Sequence, residues 1–562
     1  MPIFVGGATF KVAIVGPWNC DPLFYNAQPE LAARLAVSRI NKDPYLNQGY
    51  WYDYIVLSED CQTSRALSTF VNLESYAAGY VGPINPGYCT AAGLMGKNWN
   101  KPVVSWACIN MDLEEGGYPT FLRPLPLASK VLFSVLKYFR WAHAAIVTSD
   151  QDVWVETGHE LASSLRRLGL PVSVVVTMET DQRGAEDALK RIKRAHKVRV
   201  IIMCMHSVLL GGQEQKILLE KAEELRMADG TYVFIPFDTM YYSLPYKKTP
   251  FPVLANSTKL QQAYDAVLTI SIESKSKSFY EAFQEAKDSY EIRSALQPTQ
   301  VSPLFGTIYN SIYFLAMAVE RSRRNNRWVT GTSVSQNTRN IEFEGFNQPL
   351  WSNRHGELLA NYVVLDSDGS SGFLRATHTV DMANGMLKYM GNSIHFPQGS
   401  SPGTDSGCWF DSSTICTGDY WMISGDRLSL LSVDDLQIAG RRLGDRPSRD
   451  AWKDQEVAYT SSRPRGGNRP GSAEDHGREA MRFKPIGTRG HCQGAHQASE
   501  SPGNIHFRHT WEDGGRAFRG CPECFQVQEQ HFRHTFCRKN IIEHLEHVRV
   551  NIKGAAFLQY ES

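Results

Sequence analysis

The feature that most limits what this chain can fold into is a repeated alternation along its first 390 or so residues. Short apolar runs take turns with amphipathic stretches. Phe10–Gly16 (FKVAIVG) is a β-branched run closed by Gly-Pro, which suits a strand buried on both faces. Pro29–Asn41 follows with apolar residues at helical spacing and stops at Asp43-Pro44, because a residue before proline leaves the helical region. Further strands are predicted at Tyr52–Leu57, Ala77–Val81 and Pro102–Trp106, with helices at Thr63–Glu74 and Thr90–Trp99. The alternation then restarts. Helices are predicted at Ala128–Phe139, Val155–Leu168, Ala185–His196 and Glu214–Arg226, and strands at Ala144–Thr148, Val172–Thr177, Val198–Met203 and Tyr232–Pro236. A strand at Ala266–Ile272, long helical stretches at Ser278–Ser289 and Pro303–Arg323, and a hairpin of Ala360–Leu365 with Gly372–Asp381 complete the pattern.

Repeated β-α units imply parallel sheets with helices on both faces. The expected class is therefore α/β, with two doubly wound lobes and a cleft between them. Lobe 1 is read over about 8–125 plus a later return, and lobe 2 over about 126–265 plus about 355–390. Ligands of open α/β sheets bind beyond the carboxyl ends of the strands. That rule nominates Trp18, Asn19 and Asp21 after the first strand, Trp106 and Asn110 after the fourth, and Asp238, Tyr241 and Tyr242 in lobe 2. Aromatics with a few polar groups suit a small ligand; they suit a packed hinge equally well. Leu67, Phe70 and Leu73 on the second predicted helix are candidates for a dimer interface or for core.

Charge divides the chain where hydropathy does. The whole carries a formal +1, so no global field favours nucleic acid or an anionic membrane. From Ala439 onward, however, 20 Lys+Arg face 15 Asp+Glu, and 9 of the 16 histidines lie there. This basic, His-rich tail at 439–562 reads as disordered. Within it Cys521, Cys524, His531, His534 and Cys537 offer a C-x₂-C half-site for zinc. A finger of ordinary spacing needs His where Cys537 stands. No metal or cofactor is otherwise expected. Nucleotide-binding, zinc-protease and nucleophile-elbow motifs are absent, so catalysis is not expected of this chain. The Gly pair at Gly211-Gly212 is either an anion-binding turn or a plain helix entry. No run of 18 apolar residues spans a bilayer, and the start lacks a charged, apolar leader.

Eleven cysteines remain to be placed. Cys20, Cys61, Cys89 and Cys108 follow the first four predicted strands, so all stand at one sheet edge. A Cys61–Cys89 bridge fits that edge, and so does a Cys20–Cys108 bridge; four free thiols in a reducing compartment fit as well. Cys408 and Cys416 enclose a short loop, and Cys204 lies inside an apolar strand. Asn256-Ser257-Thr258 is a glycosylation sequon.

Several segments, in order over roughly residues 8–418, resemble the extracellular domain of membrane receptor guanylyl cyclases of the retinal and olfactory sensory type. They include GPWNCDPLF (Gly16–Phe24), VGPINPGYC (Val81–Cys89), FIPFDT (Phe234–Thr239), QVSPLFGTIYNSIYFLA (Gln300–Ala316) and CWFDSSTIC (Cys408–Cys416). The resemblance implies a type I periplasmic-binding-protein-like fold over about 8–404, a homodimer, a small-molecule or peptide ligand of unknown identity, and an extracellular or disc-lumenal location. It implies a Cys61–Cys89 membrane-distal disulfide, a Cys408–Cys416 juxtamembrane disulfide within about 405–419, and glycosylation at Asn256. Pro86 has no N–H to offer the family's chloride site, which is therefore not expected. The resemblance also implies a membrane helix after Cys416. Tyr420–Leu436, within about 420–438, instead resembles the cytoplasmic segment beyond that helix. The intact parent would make cyclic GMP from GTP; a free-standing soluble binding protein is the alternative.

Overall fold

The structure, a computed structural model, describes residues 8–114, 116–195, 197–367, 372–399, 401–403, 407–410, 524–529 and 532–537. Lobe 1 begins with β1 (Ala8–Gly16), α1 (Pro22–Tyr25), α2 (Pro29–Lys42), β2 (Tyr50–Ser58) and α3 (Thr63–Asn72). It continues through β3 (Gly79–Val81), α4 (Cys89–Trp99), β4 (Val103–Val104) and β5 (Phe121–Leu122). The strands form one parallel sheet in the order β2-β1-β3-β4-β5. Successive side chains of a strand face opposite ways, and β1 uses both faces. Ala13 and Val15 join the core under α3 and α4 with Phe70, Tyr80 and Tyr88, while Val12 and Ile14 join the larger core on the other side.

Lobe 2 runs through α5 (Ala128–Phe139), β6 (Ala144–Ser149), α6 (Asp152–Arg167), β7 (Val172–Met178), α7 (Gln182–Arg194), β8 (Val200–Cys204), α8 (Gln213–Glu224) and β9 (Val233–Pro236). Then come α9 (Pro252–Ala255), α10 (Thr258–Tyr264) and β10 (Leu268–Ile272). Its parallel sheet has the order β7-β6-β8-β9, and a parallel bridge from Phe234 to Val267 leads on to β10.

The chain next returns to lobe 1 as α11 (Phe279–Asp288), α12 (Leu304–Asn325) and α13 (Gly331–Gln336). A small antiparallel sheet, β11 (Glu342–Glu344), β12 (Pro349–Ser352) and β13 (Leu358–Leu359), follows. Finally β14 (Tyr362–Ser367), β15 (Leu374–Asp381) and β16 (Met386–Tyr389) add antiparallel strands beside β10. The predicted hairpin is thus β14–β15. The three-stranded sheet at 342–359 was not foreseen; its strands are too short for a two-residue period to show. The tail contributes a separate hairpin, β17 (Cys524–Glu529) and β18 (Phe532–Cys537). No helix among the described residues is long and apolar enough to cross a membrane.

The return helix α12 anchors the lobes to one chain path. The Tyr52 hydroxyl donates to the Ala316 carbonyl, and Tyr313 reaches Asp43 at 3.2 Å. Glu320, only 1% exposed, accepts from Arg323 at 2.7 and 2.8 Å and from Arg324 at 2.7 Å. Both arginines are part-exposed beside a carboxylate that is buried, so removing Glu320 takes away charge-assisted hydrogen bonds and the packing of the buried acid. Glu320→Ala is expected to cost about 2 kcal/mol, read as a lowered midpoint in urea unfolding of the disulfide-intact chain.

Candidate functional site

The carboxyl ends of the lobe 1 strands carry four cysteines, and the sheet order decides how they pair. Cys20 follows β1 and Cys61 follows β2, adjacent strands; they are bonded, with Cα atoms 5.5 Å apart. Cys89 follows β3 and Cys108 follows β4, also adjacent; they are bonded at 5.6 Å. This corrects the expected Cys61–Cys89 and Cys20–Cys108 pairs. In each expected pair one strand stands between the partners. Neighbouring strands are about 4.8 Å apart, so such a bridge would reach across roughly 10 Å, beyond disulfide span. The order β2-β1-β3 could not be read from the sequence, and the pairing error followed from that. Cys204 is a buried free thiol in β8. The Cys408–Cys416 pairing and the zinc set of Cys521, Cys524, His531, His534 and Cys537 lie outside the residues whose side chains are described. Among the described residues no cluster could hold a metal.

Two residues before Cys61 stands Glu59, which the sequence reading missed. It is 2% exposed and accepts from the Tyr88 hydroxyl. Burial pushes its carboxyl up to about 8. Only the spacing to Cys61 could have drawn notice to it.

Side chains of the two lobes meet along a seam. Helix α6 of lobe 2 lies along the strand-end loops of lobe 1 and touches them at every turn. Asp152 accepts from the Thr63 backbone N–H at 3.1 Å. Glu156 lies against Gly87, where an added Cβ would stand 2.9 Å from its Cγ. Glu160 faces the Asn110 side chain, which lowers its pKa slightly, Ser164 donates to the Ile109 carbonyl at 3.1 Å, and Arg167 pairs with Asp112. Steps of four, four, four and three residues keep these groups on one helical face. Burial raises the carboxyl pKa of both Glu156 and Glu160.

The nominated residues divide around this seam. Asp21 caps α1 by accepting from the Leu23 N–H at 2.7 Å and takes a hydrogen bond from the Trp154 indole of α6 at 3.0 Å. Burial raises its pKa. His206, after β8, places Nδ1 3.8 Å from Asp21, and burial lowers its pKa to about 4, so it is neutral. Asp238 is fully buried and accepts from the Ser207 N–H at 2.8 Å and the Tyr242 hydroxyl at 2.9 Å. Burial lifts it to about 7. Trp18, Trp106, Asn110 and Tyr241 are buried nearby in the chain's strand-end loops, whereas Asn19 is exposed. The indole N–H groups of Trp18 and Trp106 are buried with no partner among the described residues. Trp154 and His206 belong to the seam and were not foreseen, because the sequence does not show that α6 crosses to lobe 1. Gly211-Gly212 forms the entry turn of α8: the Gly212 N–H bonds the Ser207 carbonyl at 2.9 Å. Phe70 and Leu73 are core, and Leu67 is half-buried.

Comparison with known proteins assigns this architecture. Residues 28–370 match the family described as receptor family ligand binding region. The chain belongs to that family. It is 50% identical to retinal guanylyl cyclase 2 of Bos taurus over 419 residues, covering 74% of this chain and 38% of that protein. It is 41% identical to retinal guanylyl cyclase 1 of Bos taurus over 448 residues, covering 79% of this chain and 39% of the relative. Guanylate cyclase 2D of Rattus norvegicus is 40% identical over 408 residues, covering 73% and 36%. The chain thus spans less than two fifths of the length of each of these relatives. The two-lobed α/β fold is the periplasmic-binding-protein-like one that the resemblance implied.

Two outcomes are expected. Non-reducing peptide mapping of the secreted receptor region should recover Cys20–Cys61 and Cys89–Cys108 peptides; a Cys61–Cys89 peptide would refute the strand-order argument. Glu59 keeps its proton in the folded chain up to about pH 8 but releases it near 4.5 when unfolded. The folded state therefore binds more protons in that window, and stability falls as pH rises through it. Glu59→Gln should flatten this fall by a few kcal/mol, on the order of what such a shift carries, in urea unfolding at both ends of the window.

Proposed function

We propose that this chain is the receptor region of a sensory guanylyl cyclase, serving ligand recognition and homodimerisation on the extracellular or disc-lumenal side of a membrane. The observation that carries the reading is the seam: one lobe 2 helix meets five positions at the strand ends of lobe 1 along a single face. Such a seam makes lobe orientation sensitive to anything that binds differently to the two arrangements. Conversion of GTP to cyclic GMP and diphosphate is proposed for the intact receptor and is assigned to no residue here. The likeness to receptor cyclases along 73–79% of the chain favours this reading over a free-standing soluble binding protein.

The nominated cleft group of Trp18, Asp21, Trp106, Asn110, Asp238, Tyr241 and Tyr242 is proposed as the hinge-side lining that an opened seam would offer a ligand, with the two unpartnered indole N–H groups as its donors. Asn256 is exposed at the end of α9 and is proposed to carry a glycan. Domain limits near 404 and 438, with a juxtamembrane Cys408–Cys416 bridge, belong to the same proposal. For the dimer, Leu67 is the one residue of the nominated three that core packing leaves half-exposed. The receptor region should sediment as a dimer, and Leu67→Asp should weaken association about tenfold or more, as for a buried apolar contact in an interface. Monomeric sedimentation of the unmodified protein at micromolar concentration would refute the dimer.

A further inference from the structure

The seam holds one cluster whose protonation the proposed function leaves unused. Asp21 of lobe 1 stands against His206 and Asp238 of lobe 2, each of the three at most 4% exposed. His206 Nδ1 lies 3.8 Å from Asp21 Oδ1, and the next residue, Ser207, donates its backbone N–H to Asp238 at 2.8 Å. Asp238 is close enough to Asp21 for the two carboxyl charges to oppose one another. Among the described residues no lysine or arginine pairs with any of the three.

The groups packed round the cluster bring no cation either. Helix α6 presents the Trp154 indole to Asp21, and its nearest acids, Glu156 and Glu160, face the loops after β3 and β4. Helix α8 brings Glu214 near His206. Cys204 of β8, Tyr241, Tyr242 and Tyr264 of α10 lie near Asp238, and burial keeps all four protonated.

Two carboxyls and an imidazole without a counter-cation cannot all carry charge in such a place. Hydrogen bonding decides which of them do. Both oxygens of Asp21 accept an N–H, from Leu23 and from Trp154, and such donors favour the carboxylate form. Asp238 differs. Its Oδ2 takes both the Ser207 N–H and the Tyr242 hydroxyl, while its Oδ1 is buried with no partner among the described residues. Oδ1 is the place for a proton. His206 Nδ1 is likewise buried without a hydrogen bond, and 3.8 Å is too long for an imidazolium held by Asp21. Burial acts on the two lobe 2 groups in opposite directions, lifting Asp238 to about 7 and lowering His206 to about 4.

We propose that closing the seam moves one proton from His206 to Asp238 by way of the solvent, so that the lobes close with little net uptake or release of protons. On closing, the imidazolium gives a proton to water and Asp238 Oδ1 takes one. On parting, water reaches both groups, Asp238 releases its proton and the ring regains one. The count balances between about 4 and 6.5, where an open His206 is charged and a closed Asp238 is protonated. Acidity in that range then leaves the resting arrangement unmoved. The inference rests on the proposed parting of the lobes along the seam.

The test is hydrogen–deuterium exchange of the disulfide-intact chain from about pH 5 to about pH 6.5, inside that window. The amide of Thr63, which bonds Asp152 across the seam, is compared with that of Ile146 inside β6, each corrected for the intrinsic effect of pH. In the parent protein the Thr63 amide should exchange faster than the Ile146 amide, and its opening constant should change less than about threefold over the range. H206N removes only the base, so closure takes up a proton and each unit rise in pH should increase opening about tenfold. D238N fixes the acid in its protonated shape, so His206 acts alone and each unit fall in pH should increase opening by up to about tenfold. H206N/D238N should return to the parent's flat profile. Circular dichroism melts show whether each variant is folded across the range. A flat profile in either single variant, the same sign in both, a parent that shifts about tenfold per unit, or a double variant that is not flat would each overturn the proposal while leaving the parting of the lobes intact. A Thr63 amide that exchanges no faster than that of Ile146 in any of the proteins would remove the parting itself and the proposal with it.

Discussion

The contact on which the rest depends is the run of polar bonds from α6 to the strand ends of lobe 1. A parallel sheet places all its strand-to-helix loops at one end, and loops carry backbone groups that need partners once covered. Here the cover is another lobe, and α6 supplies the partners. The Thr63 N–H, the Ile109 carbonyl and the Asp21 carboxylate each find a group on that helix. Without α6 these loops would face solvent. With it they become an interior, and Asp21, Glu156 and Glu160 all acquire raised pKa values by burial.

The disulfides belong to the same logic. Each joins loops from neighbouring strands, so each holds the spacing of two strand ends on which α6 rests. Glu59, two residues before Cys61, is buried against Tyr88, the residue before Cys89. Lobe 1 in turn depends on chain that arrives late: α12 packs with α2 and β2 only after lobe 2 has been traversed, and α13 fastens to Asn100 through the Gly331 N–H. Neither lobe is a continuous segment, which couples the stability of each to the path through the other.

Much of this was legible in the sequence, for reasons that residues make plain. FKVAIVG has no polar residue after Lys11, so a doubly buried strand was the natural reading, and β1 is one. Gly169 and Pro171 close the predicted helix that became α6. What failed was pairing across space. Cys61 and Cys89 looked like neighbours because β2 and β3 are consecutive in sequence, but β1 lies between them in the sheet. Asp21 and Asp238 were named from strand-end position alone, and both are near the seam. Trp154 and His206 were missed because a helix that packs on its own sheet and also covers another lobe looks locally like any amphipathic helix. Phe70 and Leu73 show the converse, since apolar spacing on a helix does not say whether the face meets core or partner.

The composition of the seam bears on how the lobes can move. An apolar seam of this extent would fix one arrangement, because each buried aliphatic side chain contributes about 1.5–3 kcal/mol. This seam is mixed: the Trp154 ring stacks on Phe24 of lobe 1, and around it lie hydrogen bonds, each with a net worth of about 0.5–1.5 kcal/mol, and carboxyl groups whose burial works against closure whenever they are ionised. The raised values at Asp21, Glu156, Glu160 and Asp238 are the signature of that opposing cost. Polar contacts of that worth are within the range that the differential affinity of a ligand or a partner can offset. A two-lobed receptor region needs a seam of that kind: tight enough to define a resting state, and polar enough that the alternative arrangement is not priced out by lost apolar burial.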